Sequence, residues 1–371
     1  MNKSLIAQLQ TPCLVINCET ARQNVRRMQQ TIDGLHCKLR PHIKTHKMPC
    51  FARLQMEMGA CGITCEKVSE AAVMADAGIT DIFIAYPIVG DFRIKRVLEL
   101  SKRVESLIVA ADSIECAQRL HQAAHEVGVT LKVRLEIDTG AKRTGVTQEH
   151  FVKTAHFINQ ASNLELVGIY TFKGLVYKGE GTMDPQLAGS EEGAMLHQAY
   201  ETLKNEKIHI TQISGGSSPT AIEVAKTGLV TEVRPGTYVF NDYMLVKEGA
   251  CSMNQIAARF YATVVSTPAD DYAVIDGGTK TFPTDVALNV EPYFYPGYAV
   301  VVDNENLQLT RMNEEHGILK AKNGVTGLKV GQVIELIPIH ICTAINLQNN
   351  VYLWEKDQVR IEKVAARGML I

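Results

Sequence analysis

The sequence predicts an α/β chain in two parts, a (β/α)8 barrel of the TIM type followed by a C-terminal antiparallel β-domain. Three observations carry that expectation. Between residues 35 and 240, eight short apolar, β-branched runs alternate with helical patterns, and eight parallel strands joined by helices is the number that closes a barrel. After Asn241 the helical periodicity fades and strand-like runs follow one another. The chain is also 371 residues long, whereas a barrel uses roughly 250 and leaves a smaller second unit. The expected division is a barrel over 10–240 and a β-domain over 241–371 that also takes in residues 1–9.

In chain order, barrel strands are expected at 35–44 (LHCKLRPHIK), 62–66, 82–87 (IFIAYP), 106–112 (SLIVAAD), 130–138, 164–172, 209–214 and 231–240. Helical patterns fill the gaps, for example 68–77 and 113–127, the latter with apolar residues at spacings of three and four. Gly78 and Gly128 stand where helix C-caps belong. A doubly wound open sheet would alternate in the same way, but no GxGxxG turn follows the first run. In the second part, 260–267, 272–275, 298–302, 333–337 and 351–353 read as strands, with little helix among them.

Lys and Arg total 38 against 40 Asp and Glu, so no net field draws the chain to nucleic acid or to an anionic membrane. No stretch approaches transmembrane length, and the N-terminus has no apolar leader core. Nine scattered cysteines then read as reduced thiols of a cytoplasmic protein, not as a disulfide framework.

The first run ends Arg40-Pro41-His42-Ile43-Lys44-Thr45-His46-Lys47. Barrel enzymes build their sites at the C-terminal ends of strands. Lys44 stands at such an end, and a partly desolvated lysine can form a Schiff base with an aldehyde cofactor. Lys47 could replace it only if the strand ran further. A surface cluster of basic residues would give the same run. Two glycine-rich turns weigh against that reading: Ser214-Gly215-Gly216-Ser217-Ser218-Pro219-Thr220 after the seventh run, and Arg234-Pro235-Gly236-Thr237-Tyr238 in the eighth. Barrels often hold phosphate with these two loops, because glycine lets backbone N–H groups come close and hydroxyls add donors. Lysine and turns together point to pyridoxal 5′-phosphate (PLP). Arg143, in the turn 138–145 that closes the fifth run, suits the anionic O3′ of that cofactor; an Arg143–Asp138 pair that shapes the turn is the other reading.

In the second part, Pro338-Ile339-His340-Ile341-Cys342 follows an apolar run. If the strand continues, residues i and i+2 share a face, and His340 and Cys342 can ligate one ion. Two protein ligands leave positions open for water or substrate, as a catalytic metal requires. Imidazole with thiolate suits zinc or another borderline metal better than calcium or magnesium. A core histidine beside a buried cysteine is the alternative.

These motifs resemble the D-threonine aldolase and D-serine dehydratase family, within the alanine-racemase-like, fold-type III PLP enzymes. The resemblance runs through residues 40–47, the Ile63-Thr64-Cys65-Glu66-Lys67 to Asp76-Ala77-Gly78 segment, 82–87, 214–220, 234–238, Glu314-Glu315-His316-Gly317 and 338–347. It implies that Lys44 is the catalytic Schiff-base lysine and that Arg143 lies by the PLP hydroxyl. Gly216, Ser217 and Gly236 would form the phosphate cup, with Ser214, Thr237 and Tyr238 as further cofactor-binding candidates in the same two turns. His340 and Cys342 would hold a divalent metal: manganese, zinc, magnesium or cobalt. The partner of the pyridine nitrogen is either Arg234 or Tyr170. One departure stands out: a histidine-bearing turn is expected after the sixth run, and the chain reads Tyr170-Thr171-Phe172-Lys173-Gly174-Leu175-Val176-Tyr177.

The resemblance further implies a homodimer acting on a small D-β-hydroxy-α-amino acid. The expected reaction is aldolase cleavage of a substrate such as D-threonine to glycine and an aldehyde. The alternative is dehydration of D-serine or D-threo-3-hydroxyaspartate to a keto acid and ammonia. An amino-acid racemase and a non-catalytic PLP-binding barrel stand behind these two.

Overall fold

All eight expected barrel runs form parallel strands, at Lys38–Leu39, Ile63–Cys65, Asp81–Pro87, Ser106–Ala111, Leu131–Glu136, Leu164–Tyr170, Gln212–Gly215 and Glu232–Val233. The structure is a computed structural model that describes residue 1 and residues 3–371. From the second to the eighth, each barrel strand pairs with its sequence neighbour, and the eighth pairs in parallel with the first through Glu232↔Lys38 and Val233↔Leu39. The first and second meet through a single bridge, His42↔Thr64. The first strand is much shorter than the expected 35–44, and Pro41 is the reason. Leu39 and Pro41 face the second strand, accepting from Cys61 N at 2.9 Å and Thr64 N at 2.8 Å, but proline has no N–H to return. The chain then turns through a 3-10 turn at Ile43–Thr45. The eighth strand stops early for the same cause, at Pro235, and re-forms as a 3-10 turn at Thr237–Val239.

Helices Val68–Asp76 and Ile114–Glu126 fall where the periodicity placed them. Ser113 caps the second by accepting from Cys116 N at 3.2 Å. Gly78 and Gly128 follow the helix ends with φ of 88° and 68°, the left-handed conformation that glycine adopts without strain.

The barrel interior is not purely aliphatic. Arg134 and Glu232, at 0% and 3% exposure, meet inside it together with Arg40. Glu232 Oε2 accepts from Arg40 Nε at 2.9 Å and Arg134 Nη2 at 3.0 Å, while Oε1 accepts from Ser214 Oγ at 2.7 Å and also from Arg134. Burial alone would raise the Glu232 carboxyl, but the two guanidinium groups outweigh it and hold the group well below the carboxylate range.

The second unit is built on a nine-stranded sheet. Four expected strands form at Ala258–Ala269, Tyr272–Ile275, Ala299–Val301 and Val333–Pro338, and a fifth at Asn350–Glu355. Leu307–Met312, Gly317–Ala321 and Gln358–Lys363 are strands that the sequence reading missed. Cys13–Asn17 is another: it lies antiparallel to Ala258–Ala269 and parallel to Asn350–Glu355. The β-unit accordingly comprises Met1–Asn24, Thr45–Lys47 and Thr237–Arg367, and the barrel unit Val25–Lys44, Met48–Gly236 and Gly368–Ile371. The expected start of the barrel at residue 10 is too early, because the buried run Cys13–Asn17 completes the other sheet. A second correction concerns 338–342. The strand ends at Pro338, and His340 is the N-cap of a helix, Ile341–Leu347. Among the described residues no helix is long and apolar enough to cross a membrane.

Candidate active site

Lys44 lies half-buried in the turn that follows the first barrel strand, and its Nζ donates to Glu66 Oε2 at 3.2 Å. Glu66 comes directly after the second strand, one of the positions from which barrels project functional groups. The same carboxylate oxygen lies 3.0 Å from His42 Nε2. His42 Nδ1 accepts from the Lys44 backbone N–H at 3.4 Å, which leaves the ring hydrogen on Nε2 to be donated to Glu66. Burial, then the adjacent Lys44, push His42 down to about 4, so the ring is neutral. For Glu66, burial works toward a higher value, but the His42 hydrogen bond and Lys44 outweigh it and the carboxyl stays ionised. Lys47 lies beyond the strand and is buried, with a φ of 54°.

Arg143 is exposed, and its guanidinium carbon lies 4.6 Å from the centroid of the Phe172 ring; Lys44 Nζ is 5.8 Å from the same centroid. The Arg143–Asp138 pair does not form. Asp138 Oδ1 instead accepts from Gly140 N at 2.9 Å and Lys142 N at 3.1 Å, which shapes the turn without the arginine. The departing segment after the sixth strand thus supplies Phe172 as a platform, while Lys173 is buried against Glu191 at 2.5 Å.

In the first glycine-rich turn, Gly216 has a φ of 76°, and a Cβ there would come within 2.9 Å of Ala221 Cα. Its N–H points to the buried Glu192 at 2.8 Å, which also accepts from Thr220 Oγ1 at 3.4 Å. Gly216 therefore keeps the turn tight by having no side chain, and does not itself aim a donor outward. Ser217 N donates to Thr220 Oγ1 at 3.0 Å, and Gly236 N to Ser218 Oγ at 3.1 Å, which ties the two turns together. Arg234 is buried and donates to Ser214 Oγ and, at 2.5 Å, to Thr171 O. Among the described residues it forms no ion pair. Tyr170, whose ring centroid is 5.2 Å from the Arg234 guanidinium, donates its hydroxyl to Glu136 at 2.9 Å. Burial first, and then Glu136, raise the Tyr170 hydroxyl well above its ordinary range. A tight side-chain-free turn, hydroxyls and a guanidinium with only neutral partners fit an anionic, nitrogen-bearing ring cofactor. Thr237 and Tyr238 follow Gly236 directly, in the 3-10 turn Thr237–Val239, and Tyr238 is buried.

In the β-unit, His340 and Cys342 come together as expected, although on a helix start instead of a strand. Asp285 Oδ2 accepts from His340 Nδ1 at 2.6 Å, which frees Nε2 as a ligand atom. Cys342 Sγ lies 3.1 Å from Thr45 Oγ1 and 3.5 Å from Thr237 Oγ1. Burial alone would raise the Cys342 thiol, but His340 and these hydroxyls bring it below its ordinary value. His340, despite burial, is pushed up to about 11 by the Cys342 thiolate and Asp285. A thiol lowered by its neighbours, beside an imidazole that would give up its Nε2 proton to an incoming ion, suits a borderline divalent metal. Among the described residues there is no group of three or more His, Cys, Asp and Glu able to hold a metal, so this pair would leave most coordination positions open. Asp242 Oδ2 accepts from the N–H of Ile341, between the two ligands, at 3.0 Å.

The sequence reading gave no role to His42, Glu66, Glu136, Glu192, Asp242 or Asp285. His42 and Glu66 were visible inside the motifs. The others carried no local signal, since each acts through a partner distant along the chain.

Comparison with known proteins agrees with this geometry. The family model described as "Alanine racemase, N-terminal domain" matches residues 16–244, and "Putative serine dehydratase domain" matches 257–354. D-threo-3-hydroxyaspartate dehydratase of a Delftia species is 31% identical, over 94% of this chain and 97% of its own. Its solved structure aligns with a TM-score of 0.90 at 30% identity, covering 97% of this chain and 98% of that one. D-threonine aldolase of an Arthrobacter species is 29% identical over 98% of this chain and 94% of its own. The solved D-threonine aldolase of Filomicrobium marinum has a TM-score of 0.88 at 27% identity, covering 99% of this chain and 98% of that one. The chain belongs to the alanine-racemase-like, fold-type III PLP enzymes, in the family that holds the D-threonine aldolases and the D-serine and hydroxyaspartate dehydratases.

Proposed function

We propose that this chain is a PLP- and divalent-metal-dependent lyase that dehydrates a D-β-hydroxy-α-amino acid, giving a keto acid and ammonia. The observation that carries the reading is the His340–Cys342 pair backed by Asp285. Solved structures of a D-threo-3-hydroxyaspartate dehydratase include a histidine-to-alanine mutant and a cysteine-to-alanine mutant described as metal-free, with the two mutated positions separated by one intervening residue. His340 and Cys342 have that spacing. This support reverses the preference for the aldolase, which rested on overall resemblance and on no single residue.

When bound, PLP supplies an electron sink for charge at Cα, and the metal a Lewis acid for the β-oxygen. The residues of the chain divide the remaining work. Lys44 would hold the cofactor through its aldehyde, and its free Nζ would carry the Cα proton. The turns that carry Ser217 and Gly236 would receive the phosphate end by exchanging their bonds to Thr220 and Ser218 for bonds to it, with Ser214 behind them and Gly216 keeping the turn tight. Arg234, with Tyr170 beside it, would serve the pyridine nitrogen, and Arg143 on Phe172 would serve the O3′ oxygen. His340 Nε2 and Cys342 Sγ hold the ion, for which zinc is the best match to an imidazole and a thiolate. Thr237 supports the thiolate, and Tyr238 is packing. Loss of the hydroxyl with the Cα proton gives an enamine that hydrolyses to the keto acid and ammonia. The assembly is a homodimer, as in its class, and the protein is cytoplasmic.

The aldolase is the second reading, favoured by the match to the Arthrobacter D-threonine aldolase along nearly the whole chain. Incubation of the zinc-loaded enzyme with D-threo-3-hydroxyaspartate, D-serine and D-threonine separates the two. Ammonia and keto acid in equal amounts are expected; glycine and an aldehyde would install the aldolase.

A further inference from the structure

Lys44, His42 and Glu66 form a closed circuit. The Lys44 backbone N–H reaches His42 Nδ1 at 3.4 Å, His42 Nε2 reaches Glu66 Oε2 at 3.0 Å, and Lys44 Nζ returns to the same oxygen at 3.2 Å. Both ends of Lys44 are thus tied to one histidine–carboxylate pair. Glu66 is itself held from behind, its N–H donating to Glu70 Oε2 at 2.7 Å. A carboxylate beside a half-buried ammonium is expected on electrostatic grounds alone, as for Lys173 and Glu191; what sets Lys44 apart is that its carboxylate oxygen is also held by His42. A lysine that is alternately bonded to a cofactor and free needs a fixed place for its amino group in the free state, within reach of the reacting carbon.

We propose that Glu66, oriented by His42, is the docking point of the Lys44 amino group whenever that group is not bonded to the cofactor, and that it keeps the proton there for exchange at Cα. Glu66 is a positioning residue, and the inference rests on the reading of Lys44 as the cofactor lysine. The shared oxygen is what makes the device specific. His42 donates through a neutral ring, so it fixes the direction of the carboxylate without cancelling its charge. The full negative charge remains available to Lys44. The other groups that act on this circuit are Arg234, directly after the eighth strand, on His42, and Tyr170, at the end of the sixth, with Glu66. Neither supplies a second anion for Lys44.

The test uses the full-length protein in two states. With PLP removed, the protein is treated briefly with acetic anhydride, and acetylation of Lys44 is compared by mass spectrometry with that of the exposed Lys142. Glu66→Gln should acetylate at Lys44 roughly tenfold faster than wild type, because the amine loses the 3.2 Å contact that docks it on the carboxylate and is freed toward the reagent. His42→Asn, which leaves the carboxylate but frees its direction, should fall between the two. In the PLP- and metal-loaded enzyme, Glu66→Gln should lower kcat with little change in KM and displace the pH profile of kcat. Equal acetylation of Lys44 in wild type and Glu66→Gln, or a Glu66→Gln enzyme with unchanged kcat and pH profile, would overturn the proposal. Borohydride reduction of the wild-type holoenzyme separates the two levels of inference. A pyridoxyl label away from Lys44 removes the cofactor reading and with it the proposed role, whatever the acetylation pattern; a label on Lys44 leaves Glu66 to be judged by its own variants.

Discussion

Asp285 Oδ2 and His340 Nδ1 are 2.6 Å apart, and Thr343 Oγ1 steadies the other oxygen of the same carboxylate at 2.9 Å. The contact fixes which imidazole nitrogen is left for an ion. Loss of such an outer partner typically costs about 10–100-fold in metal affinity. Asp285→Ala should therefore bind zinc more weakly by that factor in a competition titration. Its thermal midpoint without metal should change little, because the Asp285 side chain is one-third exposed. Unchanged zinc affinity would remove Asp285 from the metal site.

The metal and the cofactor should be separable. Treatment with a chelator should abolish lyase turnover while the absorbance of bound PLP persists, and adding zinc back should restore activity. His340→Ala should match the chelated enzyme, since one protein ligand is too few to hold the ion. Cys342→Asp should keep part of the activity and move the preference toward manganese, because an oxygen donor replaces sulfur. Full turnover in the chelated protein would return His340 to the status of a core histidine.

Gly216→Ala should weaken cofactor retention. The added methyl meets the Ala221 backbone at 2.9 Å while φ is 76°, so the turn must open. Dialysis followed by absorbance would show faster loss of PLP than in wild type; retention equal to wild type would mean that the turn does not hold the phosphate.

Arg134→Met should unfold more easily than wild type by about 3–5 kcal/mol, because it leaves Glu232 buried with one guanidinium partner fewer. The double variant Arg134→Met with Glu232→Leu should recover part of that loss. Urea denaturation of the three proteins measures both effects, and additive losses would argue against a coupled pair.

The barrel was legible because buried parallel strands are written as continuous apolar runs, and Gly78 and Gly128 mark helix ends by a conformation other residues avoid. The buried Arg40, Arg134 and Glu232 were not legible, since a charge that points into a barrel is spelled like one that points to water. Leu307–Met312 and Gln358–Lys363 escaped for a related reason: their outward residues are polar or charged, and half-exposed edge strands lose the apolar contrast that marks a core strand. Cys13–Asn17 was apolar enough to recognise as a strand, but its partners, Ala258–Ala269 and Asn350–Glu355, lie near the other end of the chain. At the site, His340 and Cys342 lie on a helix start and not on the strand that the sequence reading expected. Both a strand and a helix start bring positions i and i+2 close enough to meet, so the pairing survived the error in geometry.

The missing N–H of Pro41 has a consequence for how the barrel yields under strain. On one side the first strand donates to the eighth, from Lys38 N, Arg40 N and His42 N, each at 3.0 Å. On the other side, the bonds that Leu39, Arg40 and Pro41 share with Cys61 and Thr64 all run inward, from donors of the second segment to carbonyls of the first. At residues 39–41 this joint is thus held only through carbonyls of the first strand, and Lys44 follows just past it. If that joint is the weakest of the eight, amide exchange at Thr64 should outpace exchange at the matching amides of the other barrel strands, and equal rates would show it to be as firm as the rest.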